Sequence, residues 1–402
     1  MNRLAIYVLA LGVFLTATSE LVVSGILRII AGDLHISIAL AGQLITAYSL
    51  SFAIGTPVFV SLTSRMERKK VLLGSLAIFI LGSILSTASS TIVLLMISRI
   101  ILGISAGVYL VVTFGTVAKL VPADKLGGAI SIIVLGFSSA MILGVPVGII
   151  ISSWLNWRAI FLILSLLSLL IAYIIYRHLP QIDGDAPVSF RQQFKVLGSV
   201  VIVSGLFLTF LKESGNSIFF TYLTSYLQDI LHLKTSNISV MMLAFGIVGA
   251  VGSRLSGYGV DRWGAARMIT ASMVAHVLVL AILPTATGSL VFEIVLLSLM
   301  VMAMFTSGPA IQTYFIQQAP LSSNLVLSLN TSIIHLGLAS GAGAGGVMLD
   351  ATSTLRYHPW LASTIVALGL AAAAVSFTMR FTAPRADRSS KRDFFIQKEG
   401  HR

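Results

Sequence analysis

Residues 158–176 read Arg158-Ala-Ile-Phe-Leu-Ile-Leu-Ser-Leu-Leu-Ser-Leu-Leu-Ile-Ala-Tyr-Ile-Ile-Tyr176, and residues 177–191 follow as Arg177-His-Leu-Pro-Gln-Ile-Asp-Gly-Asp-Ala-Pro-Val-Ser-Phe-Arg191. The first stretch carries one charge, at its start, and nothing else that needs water. A bilayer core of about 30 Å requires roughly 20 apolar residues in a helix rising 1.5 Å per residue, so this is the length and composition of a membrane span. The second stretch, with two prolines, a glycine and two aspartates, is a polar break.

Eleven further runs of the same kind occupy the chain. The predicted spans are 4–27, 39–62, 71–89, 91–117, 128–152, 158–176, 196–219, 238–259, 267–284, 290–311, 325–348 and 360–381. Composition agrees: 56% hydrophobic residues, 10% charged and a mean hydropathy of +0.97 over 402 residues, against roughly 25% charged in a soluble domain. Arg3 and the small-residue run Thr16-Ala17-Thr18 give the first span some likeness to a secretory signal. Its length and the spans behind it favour a retained helix. Cysteine is absent, which excludes disulfide and thiol chemistry.

The formal charge of +12 would suggest nucleic acid in a soluble protein. Here its distribution carries the information. With alternating sides, twenty Lys and Arg fall on the face of the N-terminus. Among them are Arg65, Arg68, Lys69, Lys70, Lys125, Arg191, Lys195, Arg262, Arg267 and the basic tail. Arg28, Arg158, Lys234 and Arg356 fall on the other. The positive-inside rule then predicts both termini in the cytoplasm, and no nucleic-acid partner is expected.

The polar break divides the chain into an N-terminal six-helix bundle (1–176), a cytoplasmic linker (177–195), a C-terminal six-helix bundle (196–381) and a basic cytoplasmic tail (382–402). A shift of 197 residues lays Ser64-Arg65 on Asp261-Arg262, Gly144 on Gly341 and Gly148 on Gly345. Two landmarks in one register point to a duplicated unit. Transporters built from repeats hold cargo near the midplane, between the halves.

Four motifs carry a resemblance. Gly257-Tyr-Gly-Val-Asp261-Arg262-Trp-Gly264-Ala-Ala-Arg267 resembles the cytoplasmic signature loop of the major facilitator superfamily. Its first-half copy, Ser64-Arg65-Met66-Glu67-Arg68, lacks the acid and the glycine. Arg99, Gly103 and Gly107 are similar to the superfamily's fourth-helix arginine motif. Gly136, Gly144, Pro146 and Gly148 resemble the fifth-helix motif of its drug:proton antiporters. Thr18-Ser19-Glu20 with Gly25, and Trp157-Arg158 at the sixth span, resemble the arabinose, chloramphenicol and purine-nucleoside efflux branch of the twelve-helix drug:proton antiporter family. Arg28, Lys212-Glu213 and His335 depart from that branch's usual residues.

The resemblance implies an all-α integral membrane protein of two pseudo-symmetric six-helix bundles, in a bacterial inner membrane. It further implies a proton-coupled efflux antiporter, monomeric, driven by the proton gradient with no cofactor and carrying small organic molecules, multidrug resistance included. A symporter or facilitated carrier importing a nutrient remains as an alternative, as does a non-transporting membrane sensor. No metal spacing, nucleophile–base arrangement or phosphate loop points to an enzyme.

The ionisable residues within spans are the candidates for function, because a charge in hydrocarbon is costly and marks a pathway or an ion site. Glu20 is the only carboxylate inside a first-half span and the candidate proton carrier. Its alternative is a structural, permanently neutral carboxyl. Arg99 is its candidate partner, or else an arginine bonding backbone carbonyls. Tyr48, Asn216, Tyr222, Asn330 and His335 are candidate cargo contacts; packing is the alternative for each. Gly144, Pro146 and Gly148 are candidates for rocking of the halves, and Gly257, Asp261, Arg262, Gly264, Arg65 and Arg68 for a cytoplasmic closure. Lys212 and Glu213 stand about 100° apart on a helix, so separate partners are expected for them. A snorkelling lysine is the bland reading. Glu293 is expected at the interface, and His276 on a peripheral helix.

Overall fold

The computed structural model describes residues 3–122, 126–184, 197–286, 289–319 and 323–382. The basic tail beyond 382, the linker from 185 to 195, Lys125, Arg191 and Lys195 lie outside the described residues.

Twelve long helices run up and down. They are α1 (Arg3–Asp33), α2 (Ile38–Leu62), α3 (Arg68–Ala88), α4 (Ile92–Leu120), α5, α6 (Trp157–His178), α7 (Val200–Phe220), α8 (Thr235–Trp263), α9 (Ala265–Ile282), α10 (Leu290–Gln318), α11 (Ser323–Thr352) and α12 (His358–Thr382). α5 is a composite of Leu126–Ser139, a π-helical turn Ala140–Gly144 and Val145–Trp154. A short helix, Leu223–Asp229, continues α7. We refer to the Arg3 end and the Asp33 end of the bundle.

Eleven of these helices are long and apolar enough to cross a membrane by length and composition. The exception is α7, the predicted seventh span, where Lys212-Glu213-Ser214-Gly215-Asn216-Ser217 interrupts the apolar run. α7 is held instead by packing between α11 and α12. α1 overshoots its predicted end by more than a turn, after non-helical backbone at Ile26 (φ −118°, ψ 15°). In α5 the π turn precedes Pro146: the Val145 N–H reaches back five residues to Ala140 O. A proline N–H is missing one residue later, and an extra residue in the turn absorbs the mismatch.

Sidedness is that of a lipid-solvated protein. Ile54, Leu81, Val93, Leu166, Phe207 and Val240 are exposed on the outside, while Ser19, Ser83, Ser98, Ser225 and Ser256 are fully buried. Small residues let helices approach where no hydrophobic effect drives them together. The two halves repeat this device. A Cβ on Gly144 would sit 2.5 Å from Thr18 Oγ1, and one on Gly148 2.2 Å from Val22 Cγ2, so α5 lies against α1. In the second half a Cβ on Gly341 would meet Ser214 O at 2.1 Å, and one on Gly345 would meet Ile218 O at 2.8 Å, so α11 lies against α7. These are the glycines that the 197-residue shift superposes.

Candidate functional site at the seam between the halves

α1, α2 and α4 of the first half and α11 of the second bring five side chains into one line. Glu20 on α1 is 9% exposed and His335 on α11 is 4% exposed, and Glu20 Oε1 stands 3.3 Å from His335 Nε2. His335 Nδ1 lies 2.9 Å from Thr331 O, one turn back. The imidazole is sandwiched from the first half by Phe52, with ring centroids 3.6 Å apart and planes 5° off parallel. One turn before Phe52 comes Tyr48, and the guanidinium of Arg99 sits over its ring, Cζ to centroid 4.3 Å.

Arg99 is fully buried. It donates from Nη1 to Ser19 O at 2.8 Å and from Nε to Leu44 O at 3.4 Å; Nη2 has no partner. The guanidinium therefore touches the peptide next to Glu20, not the carboxylate. α4 comes close enough because a Cβ on Gly103 would overlap Tyr48 O at 2.3 Å. The Tyr48 hydroxyl and Asn330 Oδ1 are buried without partners.

α7 carries a second polar cluster. Lys212 Nζ donates to Glu213 Oε1 at 2.6 Å, and Asn216 Nδ2 donates to Glu213 Oε2 at 3.0 Å. This corrects the expectation of separate partners for Lys212 and Glu213. The lysine is 3% exposed and does not snorkel. Its long stem bends across the 100° between neighbours, because a buried ammonium without a counter-charge costs on the order of several kcal/mol. Glu293, in the first turn of α10, and His276 on α9 are also buried, at 7% and 2% exposure.

The halves meet at the Asp33 end. Thr224 Oγ1 donates to Ser24 O at 2.7 Å, Ser239 Oγ to Pro146 O at 3.1 Å and Thr46 Oγ1 to Ala339 O at 3.3 Å. Arg28 on α1 pairs with Asp229 of the short helix. The Tyr222 hydroxyl donates to Ala342 O at 2.9 Å and fills the notch over Gly42. Tyr222 thus belongs to this closure. These crossings lie level with Glu20 or on its Asp33 side. Beyond them Asp33 accepts from Arg158 Nη1 at 2.7 Å and Trp157 Nε1 at 3.1 Å, which ties α1 to α6 within the first half.

At the Arg3 end the signature loop turns between α8 and α9 at Gly264, with φ +86°, a value that suits glycine alone without strain. Gly257, Asp261 and Arg262 are exposed. Arg262 Nη1 donates to Tyr258 Oη at 2.8 Å, and Asp261 makes no ion pair among the described residues. In the degraded copy Arg65 is exposed and Arg68 is buried, with its guanidinium beside Gly115 of α4. Here the chain after α6 takes part: the Arg68 N–H donates to Ile182 O at 2.8 Å, and Lys119 Nζ to Asp183 O at 2.7 Å.

Sequence reasoning missed Phe52 and Asp229. A phenylalanine within an apolar run carries no signal of its own. Asp229 falls in a connection, and only its partner Arg28 stood out.

Residues 9–324 match the sequence profile of the Major Facilitator Superfamily. The "Uncharacterized MFS-type transporter YbcL" of Bacillus subtilis (strain 168) is 36% identical over 94% of this chain and 96% of its own length. The "Inner membrane transport protein YdhP" of Escherichia coli (strain K12) is 27% identical over 90% and 93%. Two solved structures share the fold: a D-xylose-proton symporter (TM-score 0.77, 18% identity, 94% of this chain and 97% of that one), and a bacterial homologue of the human lysosomal transporter Spinster in an inward-facing, unoccupied conformation (TM-score 0.75, 15% identity, 94% and 97%).

Proposed function

We propose that this chain, which belongs to the major facilitator superfamily of membrane transporters, is a proton-coupled exporter of small organic molecules. It works by alternating access in a bacterial inner membrane, with both termini in the cytoplasm. The observation that carries the reading is Glu20: a buried carboxylate on the seam, facing the other half across 3.3 Å. A carboxyl in that position links its protonation to the relation between the halves, which is what an antiporter needs. The fifth-helix glycines and the efflux-branch first helix support export over import.

On the orientation drawn from the basic residues, the closed Asp33 end is the outer one. Cargo then enters from the cytoplasm toward the level of Glu20, His335 and Asn330. Glu20 takes a proton from outside as cargo leaves there and releases it inside as the next cargo binds, with Arg99 fixing the backbone beside it. One charge crossing the field corresponds to about 2.3 kcal/mol per 100 mV.

The test is cargo-driven proton movement. The protein is reconstituted in liposomes enclosing a pH dye, and a panel of amphipathic drugs, sugars and nucleosides is added to wild type and to Glu20→Gln. Proton movement opposite to cargo in wild type, lost in the variant, supports the reading. Proton movement in the same direction as cargo points to a symporter. Full proton-driven transport in Glu20→Gln refutes the role of Glu20.

A further inference from the structure

The contact between Glu20 and His335 has a requirement that neither residue shows alone. Thr331 O is a carbonyl and only accepts, so His335 Nδ1, 2.9 Å away, carries the hydrogen. The other ring nitrogen, Nε2, has no hydrogen-bond partner and faces Glu20 Oε1 at 3.3 Å. With Nδ1 protonated, a neutral imidazole presents a lone pair at Nε2. An ionised carboxylate presents lone pairs as well. Two acceptors in a buried site repel each other unless a proton stands between them.

We propose that Glu20 and His335 hold one shared proton, on Nε2 or on the carboxyl, and that this proton joins the two halves at the seam. His335 is then a proton-coupling residue, not a cargo contact. Loss of the proton to water leaves a lone pair opposite a carboxylate and pushes α1 and α11 apart. Phe52 keeps the encounter in register, since its stacked ring fixes the imidazole plane from the first half.

No other charged group around the pair, among the described residues, bonds Nε2. From α4, Arg99 is bonded to Ser19 O and Leu44 O. From α2, Tyr48 lies under that guanidinium. From α7, Lys212 and Glu213 are paired with each other. Arg28 and Asp229 pair at the Asp33 end. Arg158 of α6, packed on α1, is tied to Asp33, and Glu293 of α10 sits in that helix's first turn, also at the Asp33 end. None of these supplies the missing hydrogen to Nε2.

The proposal deepens the exporter reading and shares its premise that Glu20 exchanges protons, so its test uses no cargo. The chain has no cysteine. Spin labels are placed on cysteines introduced at Leu155 and Val291, which are 69% and 72% exposed at the Asp33 ends of α5 and α10. Distance distributions are recorded in lipid nanodiscs from pH 5 to pH 9 for three backgrounds: wild type, Glu20→Gln and His335→Gln, whose amide reaches the place of Nε2. In each variant a side-chain amide N–H faces the remaining partner and does not titrate.

The expected result is a closed-to-open ratio that falls at least tenfold with rising pH in wild type and changes less than twofold in either variant. A flat wild-type profile overturns the proposal, and so does a pH dependence that survives in either variant. Should one variant fail to fold, the other decides. A pH-dependent distance in a protein that shows no cargo-driven proton flux refutes the exporter reading and leaves the shared proton standing. Flat distances with intact exchange do the reverse.

Discussion

Gly341 and Gly343 sit two residues apart on α11 and meet opposite conditions, so alanine at each separates close packing from mere composition. A Cβ on Gly341 would stand 2.1 Å from Ser214 O and 2.7 Å from Ser217 Cβ. Ordinary contact is about 3.5 Å or more, so α7 and α11 must part by roughly 1 Å. Overpacking of that kind costs about 1–3 kcal/mol. Parting also weakens the Ser217 Oγ to Leu338 O hydrogen bond of 2.8 Å, worth about 1 kcal/mol. Alanine returns about 1 kcal/mol of helix propensity. The net loss is about 1–3 kcal/mol, a factor of roughly 5 to 150 in the folding equilibrium. On Gly343 the nearest atoms are Thr46 Oγ1 at 3.7 Å and Gln43 Oε1 at 3.8 Å. Gly343→Ala is therefore neutral or stabilising by up to about 1 kcal/mol. Thermal unfolding in detergent, followed by circular dichroism, reads the difference as several degrees between the two variants. Equal melting temperatures would refute the view that the glycine seam is there for close approach.

Removing Lys212 leaves the Glu213 carboxylate, its side chain only 14% exposed, with Asn216 as its one donor, so Lys212→Met loses up to about 3–5 kcal/mol. Lys212→Met with Glu213→Gln recovers most of it, which thermal unfolding of the single and double variants measures. Arg28→Ala breaks an ion pair whose side chains are 44% and 34% exposed. After screening it is worth no more than about 1 kcal/mol. The closed population at the Asp33 end drops at most fivefold, an effect read by the same spin-label pair and weakened further by salt.

The membrane topology was legible because hydrocarbon leaves so little choice: a run such as 158–176 has no soluble alternative. The duplication was legible in the spacing of Gly144, Gly148, Gly341 and Gly345, since each faces an atom of the neighbouring helix too close for a Cβ. The seam was not. Glu20 and His335 are far apart in sequence and meet only through the packing of α2 on α11, which no local pattern encodes. The Lys212–Glu213 pair was misread because helix geometry places Cβ atoms, while a lysine stem spans the angle between them. The π turn at Ala140–Gly144 was half visible: Pro146 announced a missing donor, not how the backbone would absorb it.

The polarity of α7 has a consequence for how the protein is made. A helix entering a bilayer is sorted residue by residue before its partners arrive, and a lysine or an acid near its centre opposes entry by about 2.5–3.5 kcal/mol. Alone among the described long helices, α7 falls short of the apolar composition that would carry it in. Its ammonium and carboxylate can neutralise each other within one turn of a single helix, so that part of the relief travels with the segment itself. The rest comes from α11 and α12, which are synthesised more than a hundred residues later. The second half therefore passes through a stage in which its most polar helix waits for the partners that make it a membrane helix.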